Sequence, residues 1–314
     1  MLKMYHTDMQ TNRTEETTKY KKGNWINMVA PTEEEIQEVC ANIGIQENFI
    51  CYALDFEEKA RIDTEEDDQT ILFIVDVPIV EIEKSNEEYS TMPLGIIFVR
   101  DDYFVTVSIK KNKIIESLEK MKDVITYKKS RFLLQIFYKN ASEYLHYLKR
   151  INKETEIAEN VLKSSLKNRE LLKMLSLEKS LVYFTTSLKS NEVVMEKTLR
   201  GKIIKLYEED EDILEDAIIE NKQAIEMAKI YNDILNGTMD AYASIISNNL
   251  NGVMKFLTSI TIILAIPTMI ASYWGMNVPV PLQNHPLGFV IVVTFSILLG
   301  VIAMWWLKKK NMMD

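Results

Sequence analysis

The sequence predicts an α/β domain, then a long helical stalk, then two transmembrane helices near the C-terminus, with several copies gathered into a funnel-shaped homo-oligomer. Three observations predict it. Two apolar stretches, 253–272 and 288–307, stand in tandem near the C-terminus. The chain between Lys128 and Gly201 holds no Pro or Gly, and none follows until Gly237. A stripe of small and hydroxylated residues runs along one face of the first apolar stretch. The segments read as a cytosolic α/β domain (1–125), long antiparallel cytosolic helices (126–207), a stalk helix (208–252) and a first span (253–272). An outer loop (273–287), a second span (288–307) and a basic cytosolic tail (308–314) complete the chain.

In the first segment, Pro31-Thr32-Glu33-Glu34-Glu35 marks a helix start, since carboxylates favour the positive end of the helix dipole. Gly44 is its expected stop. Ile71 to Val77, Leu94 to Val99 and Tyr103 to Val107 read as strands. Arg100-Asp101-Asp102 joins the last two as the turn of a β-hairpin. A core of this size can fold independently.

Beyond Lys128 the chain is rich in Leu, Ile, Lys and Glu. Ile151, Ile157, Val161 and Leu162 recur at helical spacing, as do Leu171, Leu172, Leu175 and Val182, which predicts two long antiparallel helices. The chain turns around Gly201. A third helix begins near Glu208 to Asp212 and runs unbroken into the first span, a length that suggests a stalk.

Gly288 to Leu307 carries no charge, and Val253 to Ser272 carries only Lys255, near its start, where a long side chain reaches the interface. Each is about 20 residues, the length that crosses a hydrocarbon core. Backbone in lipid must bond to itself, so both are expected to be helices. Lys308, Lys309 and Lys310 follow the second span, whereas the loop Val278 to Pro286 has no Lys, Arg, Asp or Glu. Positive charge stays inside, which places both termini in the cytosol. Tyr273 and Trp274 at one interface and Trp305 and Trp306 at the other form the expected aromatic belts. Met1 to Gln10 has no apolar stretch of signal-peptide type, so the first span itself is expected to direct insertion into the cytoplasmic membrane.

The net charge is −9, from 46 acidic and 37 basic residues, which argues against nucleic acid as a partner. Cys40 and Cys51 have no metal-ligand spacing with His6, His146 or His285. Cytosolic thiols are expected to stay reduced. There is no glycine-rich phosphate loop, and no Ser/His/Asp spacing that suits catalysis, so no enzyme and no cofactor is expected. The acidic runs Glu33 to Glu35, Glu65 to Asp68 and Glu208 to Asp212 read as solvated helix starts or loops.

The stripe comprises Asn251, Met254, Thr258, Thr261, Ala265, Thr268 and Ser272, at 3.5-residue spacing on one helix face. Ser259 is the one polar residue off it within the span. Followed backward, the register passes Ser247, Ser244, Asp240, Gly237 and Asp233. Small and hydroxylated residues serve close helix packing in membranes. Alternatively they line water, and then several copies of the helix must surround an axis. Hydroxyl and amide oxygens can hydrogen-bond to the shell of a strongly hydrated ion such as Mg²⁺ without replacing it. Copies of Asn277 would ring the outer mouth, with Gly275 allowing a sharp exit from the helix.

Tyr273-Trp274-Gly275-Met276-Asn277 between two C-terminal spans resembles the (Y/F)GMN signature of the CorA-type magnesium transporters. Ser247-Asn248-Asn249-Leu250-Asn251-Gly252-Val253-Met254-Lys255 and the Lys308-Lys309-Lys310 tail are similar to the family's stretches before the first span and after the second. The resemblance covers essentially the whole chain. It implies a homopentameric channel for Mg²⁺, with Co²⁺ and Ni²⁺ as further cargo. It implies a selectivity filter at Gly275, Met276 and Asn277, and an inner gate at Asn251, Met254 and Leu257, with Leu257 beside Thr258 at the edge of the stripe. Mg²⁺ is then both the transported and the regulatory ion, with Asp216 the matching stalk position, Asp240 and Asp233 as further regulatory-metal candidates, and Asp101 and Asp102 as candidate partners. The uncharged outer loop departs from relatives that carry an acidic residue there. A zinc-transporting relative of the same architecture, and a non-conducting membrane-anchored coiled-coil scaffold, are the alternatives.

Overall fold

The structure, a computed structural model, describes residues 1–65, 70–83, 86–100, 102–120, 124–164, 168–201, 203–282 and 284–313. The chain forms two compact units, Met1–Gly237 and Thr238–Asp314.

The first unit is built on a seven-stranded sheet of order β2-β1-β3-β7-β6-β5-β4. Its strands are β1 (Leu2–Thr7), β2 (Thr14–Glu16), β3 (Asn24–Val29), β4 (Arg61–Glu65), β5 (Thr70–Glu83), β6 (Asn86–Val99) and β7 (Tyr103–Ser108). β3 and β7 pair in parallel and every other neighbour is antiparallel. The expected hairpin is β6–β7, with Val99 opposite Tyr103. At its turn Arg100 takes a left-handed φ of 42° and the Asp102 N–H donates to the Val99 carbonyl at 3.1 Å. β5 and β6 each run 14 residues, well past the expected strands, and pair with each other along their whole length from Thr70 with Val99 to Glu83 with Asn86.

Alternation along the strands shows the two cores. Phe73, Val75, Leu94, Ile96 and Phe104 face one hydrophobic cluster, while Leu72, Ile74, Ile97, Val105 and Val107 face the other. Helices α1 (Glu33–Ile43) and α2 (Glu47–Tyr52) supply the second cluster through Ile36, Val39, Phe49 and Ile50. The start of α1 is the expected one. Thr32 accepts from the Glu35 N–H at 3.2 Å and Glu35 accepts from the Thr32 N–H at 3.0 Å, a reciprocal capping box. Gly44 ends the helix at φ 70°, a conformation that favours glycine. At Gly95 a side chain would come within 2.4 Å of the Ala53 Cβ, so its absence lets the end of α2 meet β6.

The first cluster is closed by α3 (Lys113–Lys120), α4 (Lys129–Ser164), α5 (Asn168–Arg200) and the first turns of α6 (Glu208–Trp274). α4 and α5 are antiparallel: Glu154 pairs with Lys173 at 3.1 Å, while earlier Tyr144 stacks edge-on with later Phe184. Their buried faces differ from the periodic residues that announced them. Ile151 and Leu162 are buried, but Ile157, Leu172, Leu175 and Val182 are exposed. In α5 the core face is Met174, Leu177, Leu181, Phe184 and Leu188. A helix apolar on two faces satisfies the same spacing twice, and only packing selects one. Within this unit Asn221 of α6 donates to the Leu188 carbonyl at 2.9 Å, and Lys222 bridges Glu192 and Glu196 at 3.5 and 3.2 Å.

One buried polar cluster ties the helices to the sheet. β4 stops at Arg61, opposite Ile74, and Asp76 lies two residues farther along β5. Asn191 of α5 takes the place of a strand residue there, donating to the Asp76 carbonyl and accepting from its N–H, both at 2.8 Å. Asn140 and Tyr144 of α4 donate to the same carbonyl at 2.9 and 3.2 Å. Burial pushes the Asp76 carboxyl up to about 6, with a hydrogen bond from Ser187 opposing the shift. A raised carboxyl pKa stabilises the fold below the unfolded pKa, and that contribution is lost as pH rises through about 6. Asp76→Asn should therefore gain on the order of 2 kcal/mol over the native chain between pH 4 and pH 7. Thermal unfolding across that range checks it, and the two midpoints should converge in acid.

Candidate functional site

The second unit holds the apolar half of α6 and α7 (Gly288–Lys309). Both helices are long and apolar enough to cross a membrane, and nearly all of each apolar window is exposed in the single chain. A helix pair in a soluble core would be buried, so these need lipid or other copies to cover them.

Two ends tie the helices together. Where α6 meets the loop the Trp274 indole N–H donates to the Pro281 carbonyl at 2.9 Å. A Cβ on Gly288 would lie 3.3 Å from the Trp274 ring and 2.5 Å from the Leu282 carbonyl, so glycine admits the loop. An apolar pocket of about 420 Å³ joins Ile270 and Tyr273 of α6 to Ile291 and Phe295 of α7. His285 accepts from the Leu287 N–H at 3.2 Å and its carbonyl accepts from the Gly288 N–H at 2.9 Å, which caps the start of α7. At the other end Ser259, fully buried, lies within hydrogen-bond distance of the Lys255 carbonyl at 2.8 Å and the Met312 carbonyl at 2.9 Å.

The basic tail forms that second contact. Lys308 and Lys309 complete the last turn of α7, where cations meet the negative end of the helix dipole. Lys310 caps the helix and Asn311 takes φ 54°. The Asn311 N–H then bonds to the Lys308 carbonyl at 3.1 Å and the Met312 N–H to the Leu307 carbonyl at 3.2 Å, the paired bonds of a Schellman cap. The tail is thus folded back with its Met312 carbonyl aimed at Ser259.

These contacts give the first span two unlike faces. Ser259, Ile260, Ile263, Ile266, Pro267, Ile270 and Trp274 are its shielded positions, grouped on one side of the helix. The stripe residues Asn251, Met254, Thr258, Thr261, Ala265, Thr268 and Ser272 are all exposed, and so is Leu257. Thr261, Ala265, Thr268 and Ser272 border an open groove of about 650 Å³. The stripe is therefore not the seam between α6 and the α7 of its own chain. Thr261 and Thr268 donate to the carbonyls of Leu257 and Leu264, both at 2.9 Å, so their oxygens turn lone pairs outward. Pro267 sits inside the helix and supplies no N–H to the Ile263 carbonyl. α6 ends at Trp274; the Gly275 N–H donates to the Ala271 carbonyl at 2.9 Å, and Met276 and Asn277 follow, exposed. Gly275 does not take a left-handed φ; a Cβ there would stand 3.2 Å from the Ala271 carbonyl.

The acidic candidates are distributed differently. Asp216, Asp233 and Asp240 are exposed on α6. Asp102 pairs with Lys22 at 3.0 Å, and its carbonyl accepts from the Gly23 N–H. Asp101 lies outside the described residues, as do Glu66, Asp67 and Asp68. Among the described residues no three His, Cys, Asp or Glu side chains converge as a metal site. The Ser259–Met312 tie, the His285 cap and the Asn191 link to Asp76 went unread in the sequence. Ser259 had a signal, as the single hydroxyl off the stripe.

The CorA-like Mg²⁺ transporter protein family matches residues 20–309. A cobalt/magnesium transport protein CorA from Methanocaldococcus jannaschii is 30% identical over 297 residues, covering 91% of this chain and 90% of that protein. A protein of the same name from Thermotoga maritima is 28% identical over 234 residues, covering 66% and 64%. The complete structure of the CorA magnesium transporter from Methanocaldococcus jannaschii superposes with a TM-score of 0.82 at 27% identity, covering 97% of this chain and 96% of that one.

The packing at Gly288 is open to a direct check. Gly288→Val should displace Leu282 and the Trp274 ring and cost roughly 1–3 kcal/mol. Gly300→Ala, with nothing within 4 Å of its Cβ, should match or exceed the native stability, by up to roughly 1 kcal/mol, since alanine suits a helix interior better than glycine. Thermal unfolding of the two variants in detergent compares them.

Proposed function

Because the chain belongs to the CorA-like Mg²⁺ transporter protein family, we propose that it is a gated channel for hydrated Mg²⁺, with Co²⁺ and Ni²⁺ as further cargo, in the cytoplasmic membrane. Both termini lie in the cytosol and several copies, five by the family resemblance, surround the pore. The observation that carries this reading is the exposure of the polar stripe on the face of α6 turned away from the α7 contacts. A face of Thr, Ala and Ser within an apolar helix is poorly suited to lipid and well suited to water once copies enclose it.

The side chains suit a hydrated cation. Waters around Mg²⁺ point their hydrogens outward, so the wall must accept hydrogen bonds. Thr261 and Thr268 spend their protons on their own backbone and offer lone pairs. Mg²⁺ sheds water reluctantly, and an uncharged acceptor wall does not ask it to. In this arrangement Gly275, Met276 and Asn277 form the outer filter, the Asn277 amide oxygens meeting the hydrated ion. Asn251, Met254 and Leu257 form the narrow inner gate, and Thr258, Thr261, Ala265, Thr268 and Ser272 line the path between. Asp233 and Asp240 raise the local cation concentration on the cytosolic side. Lys308, Lys309 and Lys310 anchor the inner end of α7.

No bond is made or broken, so no catalytic group and no cofactor is required, and the protein acts as a transporter and not as an enzyme. An interior potential of about −100 mV supplies about 4.6 kcal/mol per divalent ion, enough for uptake without a pump. Internal Mg²⁺ closes the channel by bridging Asp216 to a carboxylate of a neighbouring copy, for which Asp101 and Asp102 are the candidates. The names of the relatives favour magnesium and cobalt over the zinc alternative. A membrane-anchored scaffold needs neither an acceptor stripe nor an Asn277 ring.

Flux into liposomes under an inward-negative potential tests the reading. The protein should pass Mg²⁺, and failure to pass any divalent ion would return the scaffold reading. Asn277→Ala should reduce Mg²⁺ uptake to background while the oligomer, read by size-exclusion chromatography, is retained. Asp216→Ala should leave flux intact but raise several-fold the internal Mg²⁺ needed to close the channel; an unchanged closing concentration would move the sensor elsewhere.

A further inference from the structure

A cavity of about 1150 Å³ lies within the first unit, at the start of α4 beside the segment that leads into α6. It has no part in ion conduction as proposed above. Its walls bring together Lys128, Lys129, Arg131 and Lys205, with Glu209 and Asp210 as the opposing carboxylates. Arg131 pairs with Glu209 at 3.3 Å. Cations still exceed carboxylates by two, in a chain whose net charge is −9. Arg100 also borders the cavity, but its guanidinium turns toward Gly44, 3.7 Å from where a Cβ would stand.

The placement of these cations runs against helix electrostatics. α4 is 36 residues long, has no acidic residue in its first turn, and begins Lys129-Ser130-Arg131, directly after Lys128. The start of a helix carries partial positive charge and normally collects Asp or Glu. Here like charges are concentrated against it, a cost that an anion in the cavity would reverse. α1 of the same chain shows the ordinary solution, with Glu33, Glu34 and Glu35 at its start. Two contacts join residues of its lining. Ser130 donates to the Lys205 carbonyl at 2.8 Å, and the Lys205 ammonium lies 5.3 Å from the Tyr207 ring centre. Ile71, Ile203, Tyr127 and Tyr207 also line the cavity and give it an apolar and aromatic part. The volume is far beyond what an inorganic anion fills and reaches that of sites for drug-sized ligands, roughly 300–1,000 Å³.

We propose that this cavity binds a phosphate-bearing ligand of nucleotide size, its phosphates at Lys128, Lys205 and the start of α4 and its ring against the tyrosines. The reading does not depend on ion conduction and can fail or hold separately from it.

Calorimetry on the full chain in detergent, at low salt and without divalent ions, tests it with ATP, pyrophosphate and adenosine as probes. ATP should bind saturably, pyrophosphate about tenfold more weakly, and adenosine more weakly still. K128E/K205E should weaken ATP about tenfold or more, as two charge-assisted contacts are lost. K128Q/K205Q should fall between, and K189E, outside the cavity, should match the native chain. Lys128 and Lys205 are exposed, so the fold should survive, which the thermal midpoint verifies. Absence of saturable ATP binding to the native chain at millimolar concentration overturns the proposal, as does native affinity in K128E/K205E. Pyrophosphate binding as tightly as ATP overturns the assignment of the aromatic wall.

Discussion

A helix surrounded by lipid satisfies its own backbone, so its side chains alone decide which face meets protein, lipid or water. In α6 that decision rests on Ser259, whose hydroxyl meets the Met312 carbonyl, and on Trp274, whose indole meets the Pro281 carbonyl. Two polar ties, about four turns apart, fix the rotation of the helix against α7 and the loop. Once one face is committed, Thr261, Ala265, Thr268 and Ser272 are left uncovered by their own chain. Conduction as proposed follows from that remainder. Rotating α6 by half a turn would hide the hydroxyls against α7 and offer isoleucine to the axis.

The outer loop follows the same logic. It carries no charge, so its shape depends on local contacts: the missing side chain of Gly288, the His285 cap and the Trp274 bond. Asn277 follows the end of α6 by three residues. In the filter proposed above, its amide would depend on such local support, because a loose loop would spread its position beyond useful precision.

The α/β unit shows how a broad sheet can carry long helices. Leu72 to Val75 of β5 and Leu94 to Val99 of β6 are buried on both faces, and Asn191 supplies the hydrogen bonds that β4 no longer provides at Asp76. α5 is thereby joined to the sheet by bonds from the Asn191 side chain to the strand backbone as well as by apolar packing, and Asn221 joins α6 to α5 at the Leu188 carbonyl. The carboxylates Asp216 and Asp233 stay exposed on this scaffold, available to an ion or to another copy.

What the sequence determined by itself are the features governed by local chemistry and by length. Thr32 with Glu35 and the left-handed Gly44 bounded α1 because caps act within one helical turn. The two spans were legible because the hydrocarbon core demands about 20 apolar residues in a row. The family was legible through Tyr273 to Asn277 in that context. Tertiary structure decided whatever depends on partners distant in the chain. It chose Met174, Leu177 and Leu181 over Leu172, Leu175 and Val182 as the core of α5, since both sets share one period. It placed β1 and β3 in the sheet, brought Asn191 to Asp76 across 115 residues, and joined Ser259 to Met312 across 53. Spacing states which residues share a face; only the packed neighbours state what that face meets.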